Sequence, residues 1–262
     1  MADIRPAEDP VLILLRGTEY MEFNGMSFVI IATDEKESLI KTVENLVALC
    51  PPEDLGEIII TVPAKVTAEF EATVSCLENA YPGTVRKLVQ TLPFIGGAVR
   101  DGGCSVKTSH FMLFTADLAI GFESLPEMIE CSKKHPDAVV KTSRWMQKNS
   151  FDDSYSALRK AINGLAQLFL RVLFCSRIRD MTNPGQIMPA KLFRSIDWKE
   201  LKFSFMEEMV LVPVRLGTEF FEFPASCRGR KEGISKNSFW QTADYLRTAF
   251  RVRFTPKKRL IK

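Results

Sequence analysis

The sequence predicts an α/β fold, a mostly parallel sheet flanked by helices, in a single domain whose C-terminal half is amphipathic. Three observations predict it. Short, continuously apolar and β-branched runs recur through the first 143 residues, as strands buried on both faces require. Stretches with helical spacing of apolar residues lie between them. Prolines and glycines punctuate the joins. Such alternation builds a parallel sheet, and ligands then bind at the carboxyl ends of its strands.

Residues 26–33 (MSFVIIAT) form the first strand. Residues 35–50 place Leu39, Val43, Leu46 and Leu49 on one helical face, and Pro51-Pro52 stops that helix. EIIITV at 57–62 is the second strand, 64–80 a helix, and 85–91 a third strand. Residues 96–106 read as a turn feeding a helix. A fourth strand, 110–114, ends at Thr115-Ala116-Asp117; 126–134 is a helix and 138–143 a strand. Gly96-Gly97 and the Thr115-Ala116-Asp117 corner should share the carboxyl edge of the sheet.

The second half differs in character. Residues 154–175 form a long helix carrying Leu158, Ile162, Leu165, Leu168, Phe169, Val172 and Leu173. Its apolar face is expected to pack on the sheet; Arg159, Arg171 and Arg177 leave a position at a membrane interface as the alternative. Residues 179–185 are a loop, 191–196 a short helix, 205–216 a helix or strand, and 218–224 strand-like. The organisation expected is a leader (1–25), one domain (26–254) and a basic tail (255–262).

Composition narrows the function classes. With 46% hydrophobic and 26% charged residues, the 262-residue chain is an ordinary globular protein, and its formal charge of +3 gives no case for nucleic acid. Between Arg228 and Lys262, however, eleven Lys or Arg face two acids, Glu232 and Asp244. That is either a solvated basic face or a patch for phosphates or an anionic membrane. Six scattered cysteines without CxxC spacing read as reduced thiols of a cytoplasmic protein. Acids at Asp3, Glu8, Asp9, Glu19 and Glu22 argue against a secretory signal, and no apolar run is long enough to span a bilayer. Any membrane contact is therefore expected to be peripheral, at the inner face. Oligomeric state leaves no trace in the sequence.

The run Arg230-Lys231-Glu232-Gly233-Ile234-Ser235-Lys236 has a phosphate-handling composition. Arg forks onto phosphate oxygens, Lys adds a point charge, and Gly permits close backbone approach. His110 and His135 have no acid, Cys or His at ligand spacing, and no Ser-His-Asp pattern or GxGxxG motif is present.

Taken in order, several segments resemble the family-2 glycosyltransferases of GT-A fold, and most closely the polyprenyl-phosphate and dolichol-phosphate sugar synthases. They are VIIATDEKESL at 29–39, GGAVRDGG at 96–103, FTADL at 114–118, Ser143-Arg144, Arg159 with Asn163, DMTNPG at 180–185, Glu207 or Glu208, and the Arg230–Lys236 run. The resemblance implies a GT-A-like twisted sheet and transfer of a sugar, with inversion, from a nucleotide-sugar to a polyprenyl phosphate or another acceptor. It implies donor binding by Ala32, Glu35, Gly97, Arg100 and Asp117. It implies acceptor or phosphate binding by Arg144, Arg159, Asn163, Ser235 and Lys236, and catalytic roles for Asp117, Glu207 and Arg230. Its cofactor is Mg²⁺ or Mn²⁺, held at positions that here read Thr115, Asp117 and Ala119. Only Asp117 is a strong oxygen ligand. The second strand, normally closed by Asp-Asp-Gly-Ser, here ends Ile60-Thr61-Val62-Pro63-Ala64. Two readings stand: a transferase with weak or no metal dependence, and a glycosyltransferase-like binding or partner protein without turnover.

Overall fold

The computed structural model describes residues 22–116, 118, 121–147, 150–151, 155–226 and 241–262. Along the chain run β1 (Met26–Ile31), α1 (Glu37–Leu49), β2 (Leu55–Val62), α2 (Ala68–Ala80), β3 (Val85–Val89), α3 (Phe94–Ser105), β4 (His110–Thr115), α4 (Leu125–Lys134) and β5 (Val139–Ser143). There follow α5 (Ala157–Phe174), β6 (Gln186–Pro189), α6 (Ala190–Ser195), α7 (Ser204–Leu216), β7 (Phe220–Pro224) and α8 (Gln241–Phe254). The seven strands form one sheet in the order β3-β2-β1-β4-β6-β5-β7. All neighbours are parallel except β6, which runs against both β4 and β5.

The strands bury both faces, which is why they read as continuous apolar runs. In β1, Phe28 and Ile30 point into the layer of Leu39, Phe70 and Met128. Val29, between them, points the other way, toward Phe111, Phe193 and Phe205. The period of two thus feeds two cores from one strand. Each fully buried aromatic or aliphatic side chain contributes about 1.5–3 kcal/mol. Beyond α8, a 3₁₀ turn (Lys257–Arg259) precedes Leu260, buried in the second of these cores, and Ile261 bridges to Ile196.

Three expectations are corrected. First, α3 begins at Phe94, so Gly96 and Gly97 lie inside its first turn and not in a turn before it. Close packing explains the glycines. A Cβ on Gly97 would sit 2.6 Å from the Leu92 carbonyl carbon, and one on Gly96 2.6 Å from that of Leu201. Second, β6 escaped the pattern, being four residues with a polar Gln186 and a Pro189, yet it stitches β4 to β5.

Third, the apolar face of α5 does not pack on the sheet. Leu158, Leu165 and Val172 are 70%, 68% and 70% exposed, and Ile162 and Leu168 are exposed beside them. Its buried residues are Gln167 and Leu170. The helix turns a polar edge inward because hydrogen bonds from Gln167 and Asn163 to the 180–182 loop hold it there. Ser156 caps its start, accepting from Arg159 N at 3.3 Å, and Cys175 at φ 51° ends it in the left-handed conformation.

Candidate functional site at the carboxyl edge

The carboxyl ends of β1, β4, β5 and β7 and the start of β6 meet at one edge of the sheet. Asp180, wholly buried in the loop before β6, is the hub there. Its carboxylate receives Arg144 through the backbone N (3.0 Å), Nε (2.8 Å) and Nη2 (2.8 Å), a forked pair. It also accepts from Gln167 Nε2 (3.1 Å) and the backbone N–H of Asn183 (3.2 Å). Thr182 Oγ1 receives Arg144 Nη2 (2.8 Å), Gln167 Nε2 (2.7 Å) and Asn163 Nδ2 (3.3 Å). Asn163 Oδ1 in turn accepts from Trp145 Nε1 at 3.1 Å. One helix, α5, and two loops are thus fastened by one polar network.

Beneath it lies Lys141, a fully buried lysine of β5. Its Nζ donates to the carbonyl oxygens of Thr142 (3.1 Å) and Asp180 (2.5 Å). Glu222 of β7 accepts from the backbone N–H of Arg179 (2.8 Å) and Asp180 (3.0 Å). Burial alone would raise the Asp180 pKa; the charges of Arg144 and Lys141 outweigh it and hold the carboxyl well below the usual range. Burial pulls the Lys141 pKa down, opposed by Asp180 and Glu222.

The structure brings together Arg144 and Asn163, and adds Asp180, Thr182, Gln167 and Lys141 to them. Asp180 and Thr182 were visible as part of a turn-rich motif. Gln167, one helical turn after Asn163, and Lys141, inside an apolar strand, carried no signal beyond spacing. Arg159 stands exposed in the first turn of α5, its side chain unpaired among the described residues.

The residues expected to receive a donor lie just past β1 and in α3. Ala32 is buried just past β1 and donates to Thr61 O at 3.2 Å. Glu35 closes its own loop, Oε2 accepting from Thr33 N (2.8 Å) and Asp34 N (3.2 Å). Asp101 caps the loop before α3 by accepting from Leu92 N (2.9 Å) and Thr91 Oγ1 (3.0 Å) and makes no ion pair with Arg100. Arg100 is therefore half-buried with no polar side-chain partner among the described residues. Gly97 is buried against Leu92.

Glu207 and Glu208 lie in α7. Glu208 is tied to the backbone N–H of Glu200 (2.9 Å) and to Arg251 Nη2 (2.5 Å). Burial raises its pKa and Arg251 opposes that. Glu207 is buried, and its Oε2 has no hydrogen-bond partner among the described residues. Burial, with Glu200 adding to it, pushes its carboxyl up to about 8. Asp117, Ala119, Arg230, Ser235 and Lys236 lie outside the described residues.

Of the three positions at which the resemblance places a divalent cation, Asp117 lies outside the described residues. Thr115 offers a neutral hydroxyl position and Ala119 no donor. Among the described residues no group of three His, Cys, Asp or Glu could hold a metal.

Sheet order, the single antiparallel β6 and the flanking helices define a GT-A-like α/β fold. Solved structures share it. Glucosyl-3-phosphoglycerate synthase from Mycobacterium tuberculosis, in complex with Mn²⁺, UDP-glucose and phosphoglyceric acid, matches with a TM-score of 0.66 at 12% identity, over 94% of this chain and 83% of that one. The same enzyme with Mg²⁺ and UDP matches with a TM-score of 0.65 at 13% identity, over 96% and 86%. A mycobacterial protein matches with a TM-score of 0.63 at 13% identity, over 94% and 79%. No protein-family model matches the sequence, and no curated protein does. At such identities the likeness is one of fold.

Proposed function

We propose that the chain is an inverting glycosyltransferase that moves a sugar from a nucleotide-sugar to a phosphate-bearing acceptor, for which a polyprenyl phosphate is the candidate, with weak or no need of a metal. The observations that carry this reading are Arg100, half-buried in α3 with no polar side-chain partner among the described residues, and the Asp180–Arg144 network at the carboxyl edge of the sheet. The fold shared with a synthase crystallised with UDP-glucose supports it.

In this reading Ala32, Glu35, Gly97, Arg100 and Asp117 receive the donor. Arg144, Arg159, Asn163, Ser235 and Lys236 receive the acceptor phosphate. An acceptor phosphate oxygen attacks the anomeric carbon, and the bond to the diphosphate oxygen breaks on the opposite face, leaving its electron pair on the nucleoside diphosphate. That phosphate is already anionic, so no strong base is needed. Arg100 and Arg230 neutralise the leaving diphosphate, the work a metal does elsewhere. Glu207, kept neutral by burial, would supply a proton or hydrogen bond at the reaction centre.

Calorimetric titration with UDP-, GDP- and dTDP-sugars, with and without Mn²⁺, tests it. Micromolar binding of one donor that survives chelation is expected. A folded protein that binds none of them defeats the proposal. The replacement of an expected acid and glutamine by Thr115 and Ala119 favours one second reading, a protein that binds such ligands without turnover. Donor binding with no sugar transfer to any phosphate acceptor would select it.

A further inference from the structure

We infer that the outer face of α5, with the adjoining side of α8, is a docking surface for an anionic phospholipid bilayer. The face is continuous. Leu158, Ile162, Leu165, Leu168 and Val172 lie exposed along α5. Phe169 meets Phe250 of α8, ring centroids 5.8 Å apart, and Phe250 stacks on Phe254, itself 72% exposed. An apolar face of this extent is an interaction surface in a folded protein.

Rotation cannot hide it. The opposite edge of α5 is pinned, Gln167 to Asp180 (3.1 Å) and Thr182 (2.7 Å), and Asn163 to Trp145 (3.1 Å). Turning the leucines inward would strand those buried polar groups. The exposure is therefore built into the fold.

Charge selects the occupant. Residues 157–179 contain no Asp or Glu. Arg159 and Lys160 open the helix, Arg171 closes it, and Arg177 and Arg179 follow, all exposed. Among the described residues none of these arginines has an ion-pair partner. From Gln241 to Lys262 seven Lys or Arg face one acid, Asp244. A second copy packed on this face across a two-fold axis would set these cations against their own copies. Anionic headgroups complement them, while acyl chains take up the leucines. No helix among the described residues is long and apolar enough to cross a membrane, so α5 would lie in the interface plane. The inference does not depend on sugar transfer.

Flotation of the full chain with vesicles tests it, using pure phosphatidylcholine and a 7:3 mixture of phosphatidylcholine and phosphatidylglycerol (about 30% anionic lipid). Binding to the anionic vesicles is expected, at least tenfold tighter than to the zwitterionic ones and weakened by salt. Leu165→Glu with Val172→Glu should reduce it at least tenfold, and Arg171→Gln with Arg177→Gln should remove most of the preference for anionic lipid. Circular dichroism checks that both variants keep the fold. No binding to anionic vesicles, or binding that the glutamates leave intact, overturns the inference. So does a lipid-free dimer, seen by light scattering, that the glutamates dissociate; that result would make the occupant a second copy.

Discussion

At the scale of single residues, charge and burial set opposite fates for two carboxylates. Asp180 is buried but receives the Arg144 fork, so its charge is compensated. Removing one partner of a buried pair costs about 3–5 kcal/mol, because the other is left charged and unpaired. Asp180→Asn is expected to cost that much in urea denaturation. A loss below about 1 kcal/mol would mean that Arg144 finds water instead. The pKa of Asp180 is lowered in the fold, so its contribution is complete above the ordinary aspartate value of about 3.9 and is lost as pH falls through the acid range.

Glu207 behaves in reverse. Its pKa is raised to about 8, so the folded state holds a proton that the unfolded chain has released above pH ~4.3. Stability should fall as pH rises between those values and level off above them. Glu207→Gln removes that slope. It should leave stability near pH 4.5 little changed and raise it by roughly 2–4 kcal/mol at pH 8.5, relative to the parent protein. The same difference at both pH values would show that Glu207 is ionised in the fold. Arg100, with no polar side-chain partner among the described residues, gives the functional counterpart. Arg100→Ala should change stability by less than about 0.5 kcal/mol yet weaken donor binding about tenfold, as loss of a charge-assisted phosphate contact does. Unchanged donor affinity would remove Arg100 from the site.

Elements show what could be read in advance. The strands β1 to β5 were legible because strands covered on both faces are apolar throughout, and 57–62 can hardly be anything else. The existence of α5 was legible too, but not its orientation. Periodicity shows that a helix has an apolar side, not which side faces the protein. That was decided by Gln167 and Asn163 bonding to a loop thirteen or more residues away, and no local pattern encodes such pairings. For the same reason Arg144 could be picked out beside Ser143, whereas its carboxylate partner, 36 positions on, could not be paired to it. In α3 the glycines were legible and their reason was not. They stand where backbone meets backbone, with Leu92 under Gly97. Gly97→Ala is therefore expected to destabilise by about 1–3 kcal/mol through overpacking, despite the higher helix propensity of Ala. Thermal unfolding should show a drop of several degrees. A rise in melting temperature would mean that α3 can slide away from its loop.

The whole molecule is closed by its last helix. α8 buries Ala249 and Val252 in the core beneath α7, and Arg251 reaches Glu208 at 2.5 Å and Glu200 at 3.3 Å. Glu208 also receives the backbone N–H groups of Lys199 and Glu200, so one buried carboxylate ties α8, α7 and the loop before α7 together. That tie holds the C-terminal segment, which carries much of the positive surface, against the body of the fold. Arg251→Met keeps the stem and removes the charge. Glu208 would then be buried with only backbone donors, its pKa would rise further, and the folded state would retain its proton to higher pH. The substitution should cost about 3 kcal/mol at pH 8 and less at pH 5, because protonation of Glu208, which burial favours, removes the need for a counter-charge. Urea unfolding at the two pH values measures this. An equal loss at both would mean that Arg251 acts through packing of its stem, and that the C-terminal helix is held by Ala249 and Val252 without help from charge.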